Sequence, residues 1–212
     1  MKQIIFGEYK SYDDLYLICT SKKIESPTIK TNKVSIEGGD GELDLTEVFG
    51  RVSYNNRTLS FDFSTIVHPS QFLNLYSAIQ DALHGKKMNI TLEDDPDYYY
   101  VGRVSVSDFS KEKSIGKIPI ECDCEPYKYK KDVTIVSQAV NGETTITLAN
   151  SKKRVVPTIT TDAEMKLEYN GYSITHSAGH FILPTLELVE GENTVTVTGT
   201  GNISFEYREA RL

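Results

Sequence analysis

From Asp132 to Leu212 the chain is interrupted by a turn signal about every 8–12 residues, and no long helix fits between interruptions that close. The signals are Asn141-Gly142, Asn150-Ser151, Asn170-Gly171, Gly191-Glu192 and Gly199-Thr200-Gly201. Between them Val195 and Val197 alternate with threonines, and Ile203, Phe205 and Tyr207 alternate with polar residues. Period-two alternation between frequent turns predicts a β-sandwich. Asn170-Gly171 predicts a two-residue hairpin with a type I′ turn. That register sets Tyr169 against Tyr172, Leu167 against Ile174 and Met165 against His176, with all six side chains on one face, expected to be buried.

Met1 to Lys131 reads differently, as strands around one helix. Phe72, Leu75, Tyr76, Ile79 and Leu83 recur at helical spacing, Pro69 and Ser70 precede them and Gly85 follows. This predicts a helix near 69–84 with one apolar stripe facing a sheet. Strands are expected at 52–63, where Leu59, Phe61 and Phe63 alternate, and at 89–92, 98–106 and 117–124. Glu93 to Asp97 reads as an acidic turn. The whole is predicted to be mainly β: two β-sandwich domains, 1–131 and 132–212, the first carrying the single helix.

The 23 basic and 30 acidic side chains of the 212-residue chain give a net charge of −7. Residues 1–131 hold 17 basic against 20 acidic side chains and residues 132–212 hold 6 against 10, so neither half is basic. Sequence-specific nucleic-acid binding needs a cationic footprint, and none is visible. No apolar run approaches the ~20 residues of a membrane helix. Gly7-Glu8-Tyr9-Lys10 cuts off the apolar start before a secretory core forms, which predicts synthesis in a cytoplasm. Three cysteines, Cys19, Cys122 and Cys124, fit a reducing compartment.

Motifs for chemistry are sparse. There is no nucleophile elbow, phosphate loop or zinc helix. Gly38-Gly39-Asp40-Gly41 opens no helix and reads as a tight turn rather than a nucleotide cradle. Cys122 and Cys124 share a face with Ile118 and Ile120, so they read as core thiols rather than half of a zinc site. His176 and His180 have ligand spacing only on a helix, and the segment between them ends a strand. Glu93–Asp97 lacks the pattern of a calcium loop. No catalytic residue, metal site or cofactor is expected, and an enzyme is the weakest of the readings.

The order of segments carries more. Tyr12-Asp13-Asp14-Leu15 is followed by Val34-Ser35-Ile36-Glu37-Gly38-Gly39-Asp40-Gly41-Glu42-Leu43-Asp44-Leu45 and then by Tyr54-Asn55-Asn56-Arg57-Thr58-Leu59-Ser60-Phe61. After the helix come Tyr98-Tyr99-Tyr100-Val101-Gly102-Arg103 and Cys124-Glu125-Pro126-Tyr127-Lys128-Tyr129, and near the end Glu190-Gly191-Glu192-Asn193-Thr194-Val195. Together, over nearly the whole chain, these resemble the distal tail protein (Dit) family of long, non-contractile-tailed bacteriophages and prophages. Glu37 stands where that family often has a proline.

The resemblance implies an N-terminal belt domain over 1–131 that assembles into a homo-hexameric ring. It implies a galectin-like or carbohydrate-binding-module-like domain over 132–212. The implied role is a structural hub of the virion tail tip or baseplate. Its implied partners are the tail tube protein, the tape-measure protein, a tail-associated lysin or tail-tip protein, and a receptor-binding protein. An alternative is a module attaching the particle to cell-wall carbohydrate; the second portion, about 80 residues, leaves little room for an added receptor-binding module. Because Arg and Tyr dominate interface energetics, Arg57, Arg103, Tyr98, Tyr99 and Tyr100 are interface candidates. Packing of Arg57 within its own domain is the competing reading. Tyr172 and Phe181 are the candidates for ligand contact.

Overall fold

The structure is a computed structural model that describes residues 3–65, 67–112 and 115–212. It is mainly β and divides into two compact units, with the boundary between Lys128 and Tyr129. Among the described residues no helix is long and apolar enough to cross a membrane.

The first unit contains β1 (Ile4–Phe6), β2 (Tyr9–Lys10), β3 (Leu17–Ile24), β4 (Lys33–Ser35), β5 (Glu42–Asp44) and β6 (Arg57–Thr65). A 3₁₀ turn (Pro69–Gln71) leads into α1 (Phe72–Leu83), followed by β7 (Lys87–Leu92), β8 (Asp95–Val106), β9 (Ser110–Glu112) and β10 (Ile115–Lys130). The main sheet runs β2-β1-β7-β8-β10-β6-β3. Its outermost strands, β2 and β3, are joined by only the six residues 11–16, so the sheet must curl until its ends approach. The rings bear this out: Phe6 on β1 meets Phe61 and Phe63 on β6, with three strands between them along the sheet, at 5.9 and 6.1 Å.

Alternation fills the inside of the curl. Leu59, Phe61 and Phe63 face inward, as do Ile118, Ile120, Cys122 and Cys124, as expected. The helix also lies where its spacing placed it, burying Phe72, Ile79 and Leu83, and Gly85 closes it with φ +75°. Gly102 is required by close approach, since a Cβ there would stand 2.4 Å from Cys124 Sγ and 2.8 Å from the Asp123 carbonyl. The acidic turn shrinks to Glu93-Asp94, and β8 begins at Asp95. The strand expected at 52–63 starts only at Arg57.

The second unit contains β11 (Thr134–Asn150), β12 (Thr158–Thr161), β13 (Met165–Tyr169), β14 (Tyr172–His176), β15 (Gly179–Ile182) and β16 (Gly191–Tyr207). The sheet path is β14-β13-β16-β12-β15, with β11 along the other side of β16. The two ends of this path, β14 and β15, are separated by Ser177 and Ala178 alone, so this sheet is also rolled. Inside lie Leu148, Ile159, Leu167, Val195, Val197 and Phe205.

Two expectations need correction here. Asn141-Gly142 and Gly199-Thr200-Gly201 are not chain reversals; they lie within the 17-residue strands β11 and β16, where Gly142 pairs with Gly199. Along this stretch β16 changes partner from β13 to β12. Gly201 has φ +149°, and a Cβ would fall 2.3 Å from Asp162 Oδ1, whose carboxylate accepts from the Asn202 N–H at 2.6 Å and side-chain amide at 2.8 Å. The glycines mark a corner rather than a loop. The second correction concerns the Asn170-Gly171 hairpin. Its register is as expected, and Asn170 and Gly171 have φ of +49° and +81°, but only the β13 half is buried. Tyr172 and Ile174 stay 62% and 43% exposed because β14 is an edge strand.

Asn193 explains the Gly191 turn. It is buried, donates to the carbonyls of Leu148, Val189 and Gly191, and accepts from the Val189 N–H at 2.8 Å. The Tyr169 hydroxyl lies 3.0 Å from its Oδ1. At the entry to this unit, Glu209 accepts from Ser151 (2.6 Å), Lys130 (2.9 Å) and Thr134 (2.9 Å). Burial opposes ionisation of Glu209, but these three hydrogen bonds and the Lys130 charge outweigh it and hold the carboxyl below its ordinary range.

Asn193→Ala is expected to lower stability by about 2–4 kcal/mol, because several buried partners lose their bonds at once; chemical denaturation reads this. Glu209→Gln is expected to destabilise most at neutral pH. A depressed carboxylate contributes stability above the unfolded-state value, and that contribution fades as pH falls through the lower folded-state value. Melting curves of both proteins should therefore draw together only in acid, as pH falls from the ordinary carboxylate range through the lower folded-state value.

Candidate functional site

Residues 25–56 leave the sheet as an arm. Their stem continues the pairing of β3 with β6: the Glu25 N–H donates to Thr58 (3.0 Å), the Asn55 N–H to Thr28 (2.8 Å) and the Lys30 N–H to Ser53 (2.8 Å). Beyond the stem, β4 and β5 form a two-stranded ribbon, pairing Lys33 with Asp44, Val34 with Leu43 and Ser35 with Glu42. The glycine cluster makes the turn, as expected, with Gly38 and Gly41 at φ +80° and +78°. At the far end the Thr46 hydroxyl and N–H hydrogen-bond Asp44 and hold its carboxyl below the ordinary range.

Alternation gives this ribbon one charged and one apolar face, with Val34 and Leu43 paired on the latter. Among the described residues none covers it. Val34 is 45% exposed, Ile36 59%, Leu43 49%, Val48 59% and Phe49 89%. An isolated two-stranded ribbon is marginally stable in water, and clustered exposed apolar side chains mark a surface awaiting a partner. Asn32 to Gly50 also carries five acidic side chains against one lysine.

The other candidates lie elsewhere. Arg57 and Tyr100 are buried within this unit, 6% and 4% exposed, with the guanidinium 5.7 Å from the centre of the ring. Both side chains pack inside a single copy. Tyr98 and Tyr99 are half-buried, and the Lys128 ammonium sits 4.9 Å from the Tyr98 ring while bonding Asp95 at 2.7 Å. Arg103 is exposed and donates to the Gly85 carbonyl just past α1. In the second unit Phe181 is half-buried and stacks on His176 at 3.6 Å between ring centres. Tyr172 stands four positions from His176 along β14, about 13 Å away, so Tyr172 and Phe181 do not form one platform.

Burial pushes the Cys124 thiol up to about 12 and Cys122 higher still, so both remain protonated at neutral pH. Among the described residues no group of three or more His, Cys, Asp or Glu side chains is placed to hold a metal ion.

No family model matches the chain, and no curated protein matches it. Among solved structures it is similar to the crystal structure of SPP1 Dit (gp 19.1), described as a paradigm of the hub adsorption apparatus in phages infecting Gram-positive hosts. The TM-score is 0.73 at 17% sequence identity, and the match covers 100% of both chains. The chain therefore has the Dit fold from end to end.

Val48→Ser with Phe49→Ser is expected to leave the stability of the isolated chain within about 0.5 kcal/mol, because neither side chain is covered. Binding of an apolar-surface dye should fall in the same variant.

Proposed function

We propose that this chain is a structural hub of a phage tail tip. Six copies close into a ring that joins the tail tube protein to the tail-tip and adsorption proteins, and the tape-measure protein and DNA pass through the bore. The observation that carries this reading is the end-to-end likeness to a phage hub protein, and the uncovered arm supplies the surface such a ring needs. A cyclic assembly uses two unlike patches per subunit, one offered and one receiving. The net negative charge suits a conduit that does not retain DNA.

In this reading the chain works by shape and makes or breaks no covalent bond. The second unit is proposed to be galectin-like, and its exposed edge at Tyr172 and Ile174 is open to tail-tip neighbours. Synthesis in the host bacterial cytoplasm and residence in the virion tail tip belong to the same proposal.

Native mass spectrometry over a concentration series, with electron microscopy of tails, tests it. Six-fold rings and incorporation into tails are expected. Monomers at every concentration, together with absence from tails, would remove the reading.

A further inference from the structure

We infer that two copies of this chain associate by antiparallel pairing of β14 with β14 across a two-fold axis at Ile174. The pairing involves the second unit alone and does not rest on the ring reading.

The five residues of β14, Tyr172–His176, form an edge strand, and among the described residues β13 is its one neighbour in the sheet. The two-residue turn at Asn170-Gly171 makes Tyr169 and Tyr172 a hydrogen-bonded pair, and such pairs alternate along an antiparallel ladder. Tyr172, Ile174 and His176 therefore direct their backbone bonds to β13, whereas the N–H and C=O of Ser173 and Thr175 point away from it. Among the described residues no other backbone group bonds them. Native sheets protect such edges with lysine, proline or a bulge. The sequence here is Tyr-Ser-Ile-Thr-His, and its register with β13 runs unbroken from Tyr172 to His176.

The side chains agree. Tyr172 and Ile174 share the face on which Met165, Leu167 and Tyr169 are buried, yet they stay exposed. The apolar face of this layer thus runs one strand past its cover. The edge at β11 differs, because its inward Val140, Ile146 and Leu148 are buried within the chain and it carries Glu143.

A second β14 fits this edge. In an antiparallel pair centred on Ile174, Ser173 of each copy faces Thr175 of the other, which joins all the free N–H and C=O groups in hydrogen-bonded pairs. Ile174 then faces Ile174, and Tyr172 faces His176, at the closer positions where side chains meet. Neither strand carries an acidic side chain or a lysine to oppose its partner. Centring the pair on Ser173 would set Thr175 against Gly171 in the turn, and centring it on Thr175 would set Ser173 against Ser177, beyond the strand. An interface built on one short strand is small, so association is expected to be weak and to depend on concentration.

Amide hydrogen exchange of the full chain over a concentration series tests the pairing. The Ser173 and Thr175 amides are expected to exchange about tenfold or more slowly at high than at low concentration. Ile174→Lys or Ile174→Glu alone should abolish that protection, because like charges would meet directly opposite. Residue 174 meets its own copy on the axis, so mixing the two variants should restore association to within about threefold of the unaltered protein. Circular dichroism checks that each variant folds. Unchanged exchange at every concentration, or a mixture that stays unprotected, would overturn the pairing. Protection that arises in assembled tails but never in the chain alone would also overturn it, and would assign β14 to another tail protein. Rings can form in each of these cases, and paired copies can form without rings, so the two readings fail separately.

Discussion

The pairing of β6 with β10 on one side and β3 on the other fixes the position of everything else in the first unit. Eight successive pairs, from Lys117 with Ser64 to Cys124 with Arg57, set one register, and Leu59, Phe61 and Phe63 lock it by facing the core. A slip of one residue would turn those rings to solvent and bring Asp62 inside. The arm therefore leaves the sheet at one end of a rigid strand, and helix and hairpin meet at the other.

The second unit solves a similar problem with polar groups. A rolled sheet needs a corner in its longest strands, and β11 and β16 place glycines opposite each other there, with Asp162 fastening the backbone beside them. Asn193 holds the turn that begins β16, and Glu209 ties the entry, the end of β11 and the exit of the chain together. These groups are stabilising because each is satisfied; a buried amide or carboxylate without partners would cost more than it contributes. The outcome is a firm body whose edge strand β14 remains open.

Much of this was legible in the residues themselves. The alternation of Ile118 to Cys124, the helical stripe ending at Gly85 and the Asn170-Gly171 register all reflect short-range periodicity, which needs no knowledge of distant partners. The failures come from tertiary context. A glycine at a strand corner and one in a reversal both favour positive φ, so Gly142 and Gly201 resembled turns. Tyr172 shares a face with buried Tyr169, but whether a face is covered depends on the opposite layer. Arg57 had a signal that was there to use: it is two residues before Leu59, in phase with Phe61 and Phe63, and so belongs to the inward face. The arm was legible as extended chain around a glycine turn, whereas its lack of any cover emerges only when every other element is in place.

The most direct test of assembly through the arm is amide hydrogen exchange, comparing the free chain with the same chain in tails. Slower exchange in tails is expected across 33–49, with the interior strands of both units unchanged. An arm that exchanges equally fast in both states would contradict the account.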